Sequence, residues 1–536
     1  NIDSNLTSWL KVGVKTNYSI RDYSGDSPAM NKAAQFSPYA SLYDDEGRYL
    51  QYPQTTTSFE SPFWSMKTDD TEKYNILGAI LNAKITIPWV KGLSYEMVYS
   101  NTLRWSQKYY FYDEYTTTGQ GKNGKGERKH ENNYNMLLDN MIKYNNTFNQ
   151  KHNVDATFLY SRERRTWENA TAYAENFDNT ILGDNKLEDG KKQTVDTGAG
   201  ESGAIAWMAR GTYTFDSRYS ITGTVRRDGC SAFSVNRKWA TFASGGLNWN
   251  ISNESFMKDI KEINNLKLRA SYGQLGNENI GLYKYQTLID PGNGNETTFG
   301  NPDISWEKVN MFDIGADISL FNGMIDIVFD YYDKRTSDIL LTPPNSMVGG
   351  MGTTTINAGR VNNKGWELSV NVAKKFGDWD FSVYGGVSQN KNKITDLLGG
   401  PYDNGNSIHT EGHALNSFYM YKSNGLLQED DFTTGADGTL VPKEGVVIID
   451  GQKPGDIHYV DVNGDKAITA DDRVIMGNSE PKFNYFANIT ARWKGIDLEI
   501  LFQGVRGVEA YYGGNFAVPL RLDGNSTTPQ EFHLDY

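Results

Sequence analysis

The sequence predicts an all-β protein, an antiparallel transmembrane β-barrel with long loops at one end. Three observations predict it. Apolar residues recur at every second position along most of the chain, the period of a strand with one apolar face. The alternating stretches number about fifteen and run to roughly ten residues or more, enough for a tilted strand to cross a bilayer, whereas ordinary strands average about five or six. The links between them are short and long in turn, as at the two ends of an outer-membrane barrel.

Taken in order, Leu10, Val12 and Val14 oppose Lys11, Gly13 and Lys15. Ala79, Leu81, Ala83, Ile85 and Ile87 oppose Ile80, Asn82, Lys84 and Thr86, and Leu93, Tyr95, Met97 and Tyr99 resume after a turn at 89–92. Ile142, Tyr144 and Phe148 lead through 149–151 to Val154, Ala156, Phe158 and Tyr160. Tyr213 and Phe215 lead through 216–218 to Tyr219, Ile221 and Val225. Leu247, Trp249 and Ile251 precede Leu266, Leu268, Ala270 and Tyr272, with Ser252–Asn264 between them reading as a brief helix. Phe312, Ile314, Ala316, Ile318 and Leu320 oppose Asp313, Asp317 and Ser319, then Asn322-Gly323 signals a hairpin turn and Ile325, Ile327, Phe329 and Tyr331 follow. Trp366 to Val372 pairs with Trp379 to Val387, and Phe483 to Trp493 with Ile496 to Phe502. Six long polar segments, 22–74, 113–132, 166–202, 275–305, 336–362 and 394–481, read as loops. Trp89, Trp249, Trp366, Trp379 and Trp493 sit near strand ends, as interfacial girdles require.

Composition excludes several classes. Only 38% of the residues are hydrophobic and mean hydropathy is -0.60, and no run approaches the roughly 18 apolar residues of a membrane helix. A net charge of -13 argues against a nucleic-acid partner. The single cysteine, Cys230, excludes an internal disulfide and a Cys-rich zinc site. The start, NIDSNLTSWLKVGV, does not read as a signal peptide. The rival architecture is a soluble β-sandwich, propeller or β-helix with the apolar parity buried in a core, for example a secreted glycan-binding protein.

Several ordered stretches resemble one family. They are ARGTYTFDSRYSITGTVRRDGCSAF (209–233), LKLRASYGQLGNENIG (266–281), NPDISWEKVNMFDIGADISLFNG (301–323), DYYDKRTSDILL (330–341), NKGWELSV (363–370), EGHALNSFYMYKSNGLLQ (411–428) and PGDIHYVDVNGDKAITADDRVIMG (454–477). Together they resemble the SusC/RagA-type TonB-dependent transporters of Bacteroidetes outer membranes. Cys230, Ala414 and Met420 depart from the family's usual Ser, Pro and Gly. The resemblance implies that 1–536 is part of a receptor barrel of about 22 strands. It implies a plug and a TonB-contacting segment before residue 1, reaching the TonB-ExbB-ExbD complex, and further strands beyond EFHLDY, an ending that itself alternates like a barrel strand. It implies energised import of a large nutrient, glycan oligosaccharide or peptide, with a SusD-like surface lipoprotein as lid. A passive porin is the alternative within the membrane class.

Two constellations carry possible chemistry. In DVNGDKAITADD, side-chain oxygens fall at positions 1 (Asp461), 3 (Asn463), 5 (Asp465), 9 (Thr469) and 12 (Asp472), with the Ala467 carbonyl at 7. Calcium takes six to eight oxygens at such spacing, although Lys466 replaces the usual glycine at position 6; a metal-free Asx-rich turn is the other reading. In QKYYFYDEY, Tyr109, Tyr110 and Tyr112 form a candidate substrate-facing aromatic patch, since aromatic rings stack on sugars while keeping a polar tip. GQGKNG (119–124) is a flexible loop, because no βαβ unit surrounds it. The six histidines show no pair at metal or triad spacing, and the many carboxylates on strand faces read as the solvated charge a lumen needs, so enzymatic activity is not expected.

Overall fold

The computed structural model describes residues 1–29, 32, 40–53, 60–289, 296–342, 354–436 and 438–511. Among these, sixteen strands form one antiparallel sheet in which each strand pairs with its neighbours in the chain. The first seven are β1 (Ile2–Asn5), β2 (Leu10–Asp22), β3 (Asp69–Thr86), β4 (Leu93–Tyr112), β5 (Lys125–Phe148), β6 (His152–Phe177) and β7 (Gly190–Phe215). Then come β8 (Tyr219–Cys230), β9 (Trp239–Asn250), β10 (Ile263–Asn277), β11 (Glu307–Leu320) and β12 (Ile325–Ser337). The last are β13 (Arg360–Phe376), β14 (Trp379–Asp396), β15 (Phe483–Trp493) and β16 (Ile496–Arg506). All but β1 have eleven residues or more, so the long-strand reading of the sequence holds.

Among the described residues the sheet is one layer with no continuous core behind it. The apolar parity lies open: Leu247 is 58% exposed, Ile314 46% and Leu498 55%. The opposite parity is a lattice of charges. Arg269 on β10 reaches Asp317 on β11 at 2.9 Å and Asp330 on β12 at 2.9 Å, while Lys84 and Lys143 flank Glu96 at 2.9 and 2.5 Å. A soluble sandwich would bury the first parity and expose the second. The wall does the reverse, as a barrel in lipid with a wet interior must. Outward aromatics mark the band's edges: Trp379 stacks on Trp493 at 5.4 Å and Tyr219 on Trp249 at 6.4 Å by the short turns, and Tyr331 pairs with Trp366 at the far edge.

Among the described residues, the two clusters of buried apolar side chains lie near the end with the long links. Phe233, Ile304 and Trp306 pack against Phe242 of β9 on the inner face, which ties the β8–β9 and β10–β11 links to the wall. Phe111, Ala174 and Phe177, with Leu187 of the 3-10 segment Gly183–Asp189, form a second cluster on the outer face.

Three expectations change. Segment 166–202 is largely strand and 113–132 is strand from Lys125 on, since β5, β6 and β7 reach 24, 26 and 26 residues and leave only 113–124 and 178–189 as links. Their upper parts lack an apolar parity because both faces meet water there; backbone pairing holds them. Ser252–Asn264 forms two 3-10 turns, Ile251–Asn253 and Ser255–Met257, before β10 begins. The β11–β12 hairpin turns at 321–324, where the Asn-Gly signal places it, with Phe321, Asn322 and Gly323 at φ 55°, 60° and 78°. The segment 394–481 carries a small sheet of its own, Tyr402–Asp403, Ser407–His409, Ser417–Tyr421 and Arg473–Asn478. The strand-like ending at 531–536 lies outside the described residues.

Candidate functional site

The bilayer band ends where outward residues turn charged. On β6 the outward series Val154, Ala156, Phe158 and Tyr160 gives way to Arg162 and Arg164, and Arg164 pairs with Glu201 of β7 at 2.7 Å. On β2 and β3, Tyr18 and Leu77 give way to Asp22 and Lys73, which pair at 3.5 Å. Everything above these residues stands in water.

The inner face of that upper wall is built from rows of paired residues. Arg104, Asn133, Trp167 and Gly200 make one row across β4–β7. Ser106, Glu131, Asn169 and Gly198 make the next, continued by Tyr74 of β3. Tyr110, Glu127 and Tyr173 lie higher. Most of these rings are engaged. The Lys67 ammonium sits 4.1 Å from the Tyr110 ring centre and the Arg104 guanidinium 4.7 Å from that of Tyr74, within the reach of a cation–π contact. Tyr110 also donates to Glu72 at 3.2 Å, and burial and that carboxylate hold its phenol well above the usual range. Burial does the same for Tyr112, with Asp26 and Glu127 adding negative charge nearby.

The three candidate tyrosines therefore separate. Tyr110 and Tyr112 share the inner face. Tyr109, one residue away, must point outward; it meets His130 at 3.2 Å and lies under Arg128, which is tied to Asp184 at 2.8 Å. Tyr74, Glu72 and Trp167 join the inner wall and were not legible, because residues 166–202 and 22–74 show no period that would place them on strands.

The 461–472 loop lies in the β14–β15 link. Carboxylate oxygens of Asp461, Asp465 and Asp472 all come within 4.8 Å of one another. Asp461 accepts the N–H groups of Gly464 and Lys466 at 2.6 and 2.9 Å, and Asp465 accepts that of Ala467 at 2.9 Å. Asp472 is fully buried and accepts from Val462 and Thr469, both at 2.8 Å; these backbone N–H groups pull its carboxyl below the usual range. Lys466 takes φ 70°, the left-handed conformation that glycine usually supplies at this position. The Asn463 and Thr469 side-chain oxygens instead accept N–H groups of Asp465 and Asp471 at 2.8 and 3.2 Å. Three hard anionic oxygen donors at this spacing suit calcium.

The exposed outer face and charged inner face match a known architecture. Residues 8–498 match the family described as TonB dependent receptor-like, beta-barrel. TonB-dependent receptor P3 of Formosa agariphila is 28% identical over 95% of this chain and 53% of its own length. TonB-dependent receptor SusC of Bacteroides thetaiotaomicron is 29% identical over 58% of this chain and 32% of its own. The structure of the RagAB peptide transporter superposes with a TM-score of 0.76 at 22% identity, covering 94% of this chain and 57% of that one. The chain spans about half the length of the Formosa relatives it matches. It belongs to the β-barrel family of TonB-dependent receptors, in the SusC/RagA-type branch, and is an outer-membrane β-barrel.

Proposed function

We propose that the whole protein imports a large nutrient across the outer membrane with energy delivered through TonB and a SusD-like lipoprotein closing its outer mouth. The nutrient class we favour is a glycan oligosaccharide. One observation carries this reading: above the bilayer band, the inner face of β3–β7 is a tall wall of aromatic, amide and charged groups rather than a narrow rim. A passive pore needs no such surface, whereas a site that holds a sugar chain needs flat rings beside hydrogen-bonding groups. The long polar links between the strands, notably 23–68, 278–306 and 397–482, suit a docked lid. Ordering such chain costs on the order of 1–2 kcal/mol per residue, which a large interface would offset. We also propose that the 461–472 loop holds one structural calcium ion, on the support of its three convergent carboxylates.

Affinity purification of the full-length protein from native outer membranes tests the lid. The expected result is stoichiometric recovery of a surface lipoprotein; a barrel recovered alone in every preparation would count against it. For the ion, calorimetric titration with calcium should give one site that Asp465→Ala abolishes, with barrel folding unchanged. Wild-type protein that takes up no calcium would overturn that part.

A further inference from the structure

We propose that Trp167 is a stacking platform for a pyranose ring of the imported chain, a proposal that rests on the glycan reading above and makes it more specific. The indole lies on a bed of glycine. Gly200 is its direct partner across β6–β7, and a Cβ at Gly200 would stand 2.5 Å from Nε1, 2.7 Å from Cε2 and 2.9 Å from Cζ2. Gly198, two residues along the same face, would place a Cβ 3.2 Å from Cζ3. Two glycines on one strand thus let the ring lie flat against the wall. The ring is nonetheless 40% exposed, so its other face looks into the interior, above the bilayer band. Among the described residues no aromatic ring or cation covers that face, unlike those of Tyr74 and Tyr110.

The surroundings favour a sugar over an apolar side chain. Asn133 pairs directly with Trp167 and donates to Glu131 at 3.0 Å, which among the described residues leaves its carbonyl oxygen, a second N–H and one Glu131 oxygen free to bond. Asn169 lies over Gly198 beside the ring, and Arg104 adjoins Asn133 in the row. A flat apolar face ringed by donors and acceptors matches a pyranose, whose C–H face is apolar and whose hydroxyls point from its edge. An aromatic or prolyl residue would use the face and leave the polar ring unmatched.

The test uses full-length protein with 5-fluorotryptophan incorporated, the Trp167 resonance being assigned by its loss in Trp167→Phe. Probes are maltohexaose, cellohexaose, laminarihexaose, xylohexaose and mannohexaose, with a hexapeptide containing Pro and Phe as the rival. At least one hexasaccharide should shift the Trp167 resonance, and Trp167→Ala should weaken its binding about tenfold, equivalent to about 1.4 kcal/mol. Gly200→Val should weaken it similarly while the indole remains, because the ring can no longer lie flat. Trp105→Phe on the outer face should bind as wild type, and heat-modifiable migration confirms that each variant folds. No shift with any hexasaccharide overturns the proposal. A sugar that binds Trp167→Ala as tightly as wild type overturns the platform and leaves the glycan reading standing. A shift with the peptide alone overturns both.

Discussion

Gly315 lies in register between Arg269 and Asp330, and its missing side chain is what lets the guanidinium cross β11 to a second carboxylate. A Cβ there would stand 2.2 Å from Asp330 Oδ1 and 2.9 Å from the Phe329 carbonyl oxygen. Gly315→Ala should therefore separate the pair and cost roughly 1–3 kcal/mol, the range for part-buried polar groups left without a partner. Gly211→Ala, where a Cβ meets nothing within 4 Å, is the control. Guanidinium unfolding in lipid vesicles should show a lowered midpoint for the first only; equal midpoints would contradict the lattice. Asp472 supports a prediction of the other kind. Its carboxyl is depressed below 3.8 by backbone N–H groups, so its contribution is present above that value and lost as pH falls through the depressed one. The loop should resist cleavage from neutral pH down to about pH 4 and open only below it. Asp472→Asn, which sets an N–H against N–H donors, should speed tryptic cleavage at Lys466 about tenfold at pH 7.5; unchanged cleavage would show that the carboxylate does not organise the loop. The aspartates of this loop were legible in the sequence because their spacing is local. Trp167 was not, because its glycine bed lies on the next strand, across a register the sequence does not print.

At the scale of the strand, facing and height are the claims at stake. Leu368 lies outward in the row of Ala316 and Phe329, near the middle of the apolar band, and Ser369 lies inward. Leu368→Arg should destabilise the barrel by about 2–4 kcal/mol, and Ser369→Arg, which gains Glu367 as a neighbour on its own face, by much less. Folding yield into lipid vesicles measures both, and equal damage would reverse the facing. Height is tested by cysteine labelling on intact cells. Thr166→Cys and Glu168→Cys should react with a membrane-impermeant maleimide and Phe158→Cys should not. The native Cys230 stays silent, since it is buried and burial pushes its thiol up to about 11. Labelling at 158 with protection at 168 would invert the placement of the bilayer. The same physics explains which strands were legible. Alternation needs two different solvents, one on each face, and exists only inside the bilayer band. Above it, β5–β7 continue with water on both sides, so residues that are strand read as loop.

For the whole molecule, the governing fact is a large sheet with no continuous core among the described residues. The sequence patterns sufficed to place its apolar parity in lipid, because turns alternate with long links and the inner parity is polar in nearly every strand. They did not suffice to show that the wall rises well beyond the membrane, which is where the candidate site lies. If that wall lines the path of an energised importer, transport must depend on the proton gradient and on TonB, and not on diffusion through an open pore. The most direct test is uptake of a radiolabelled glycan on which growth requires this protein, measured in cells with and without functional TonB. The account predicts that uptake falls to the level of cells lacking the protein when TonB is inactivated. Uptake that persists at the wild-type rate without TonB would contradict it and leave a passive pore in its place.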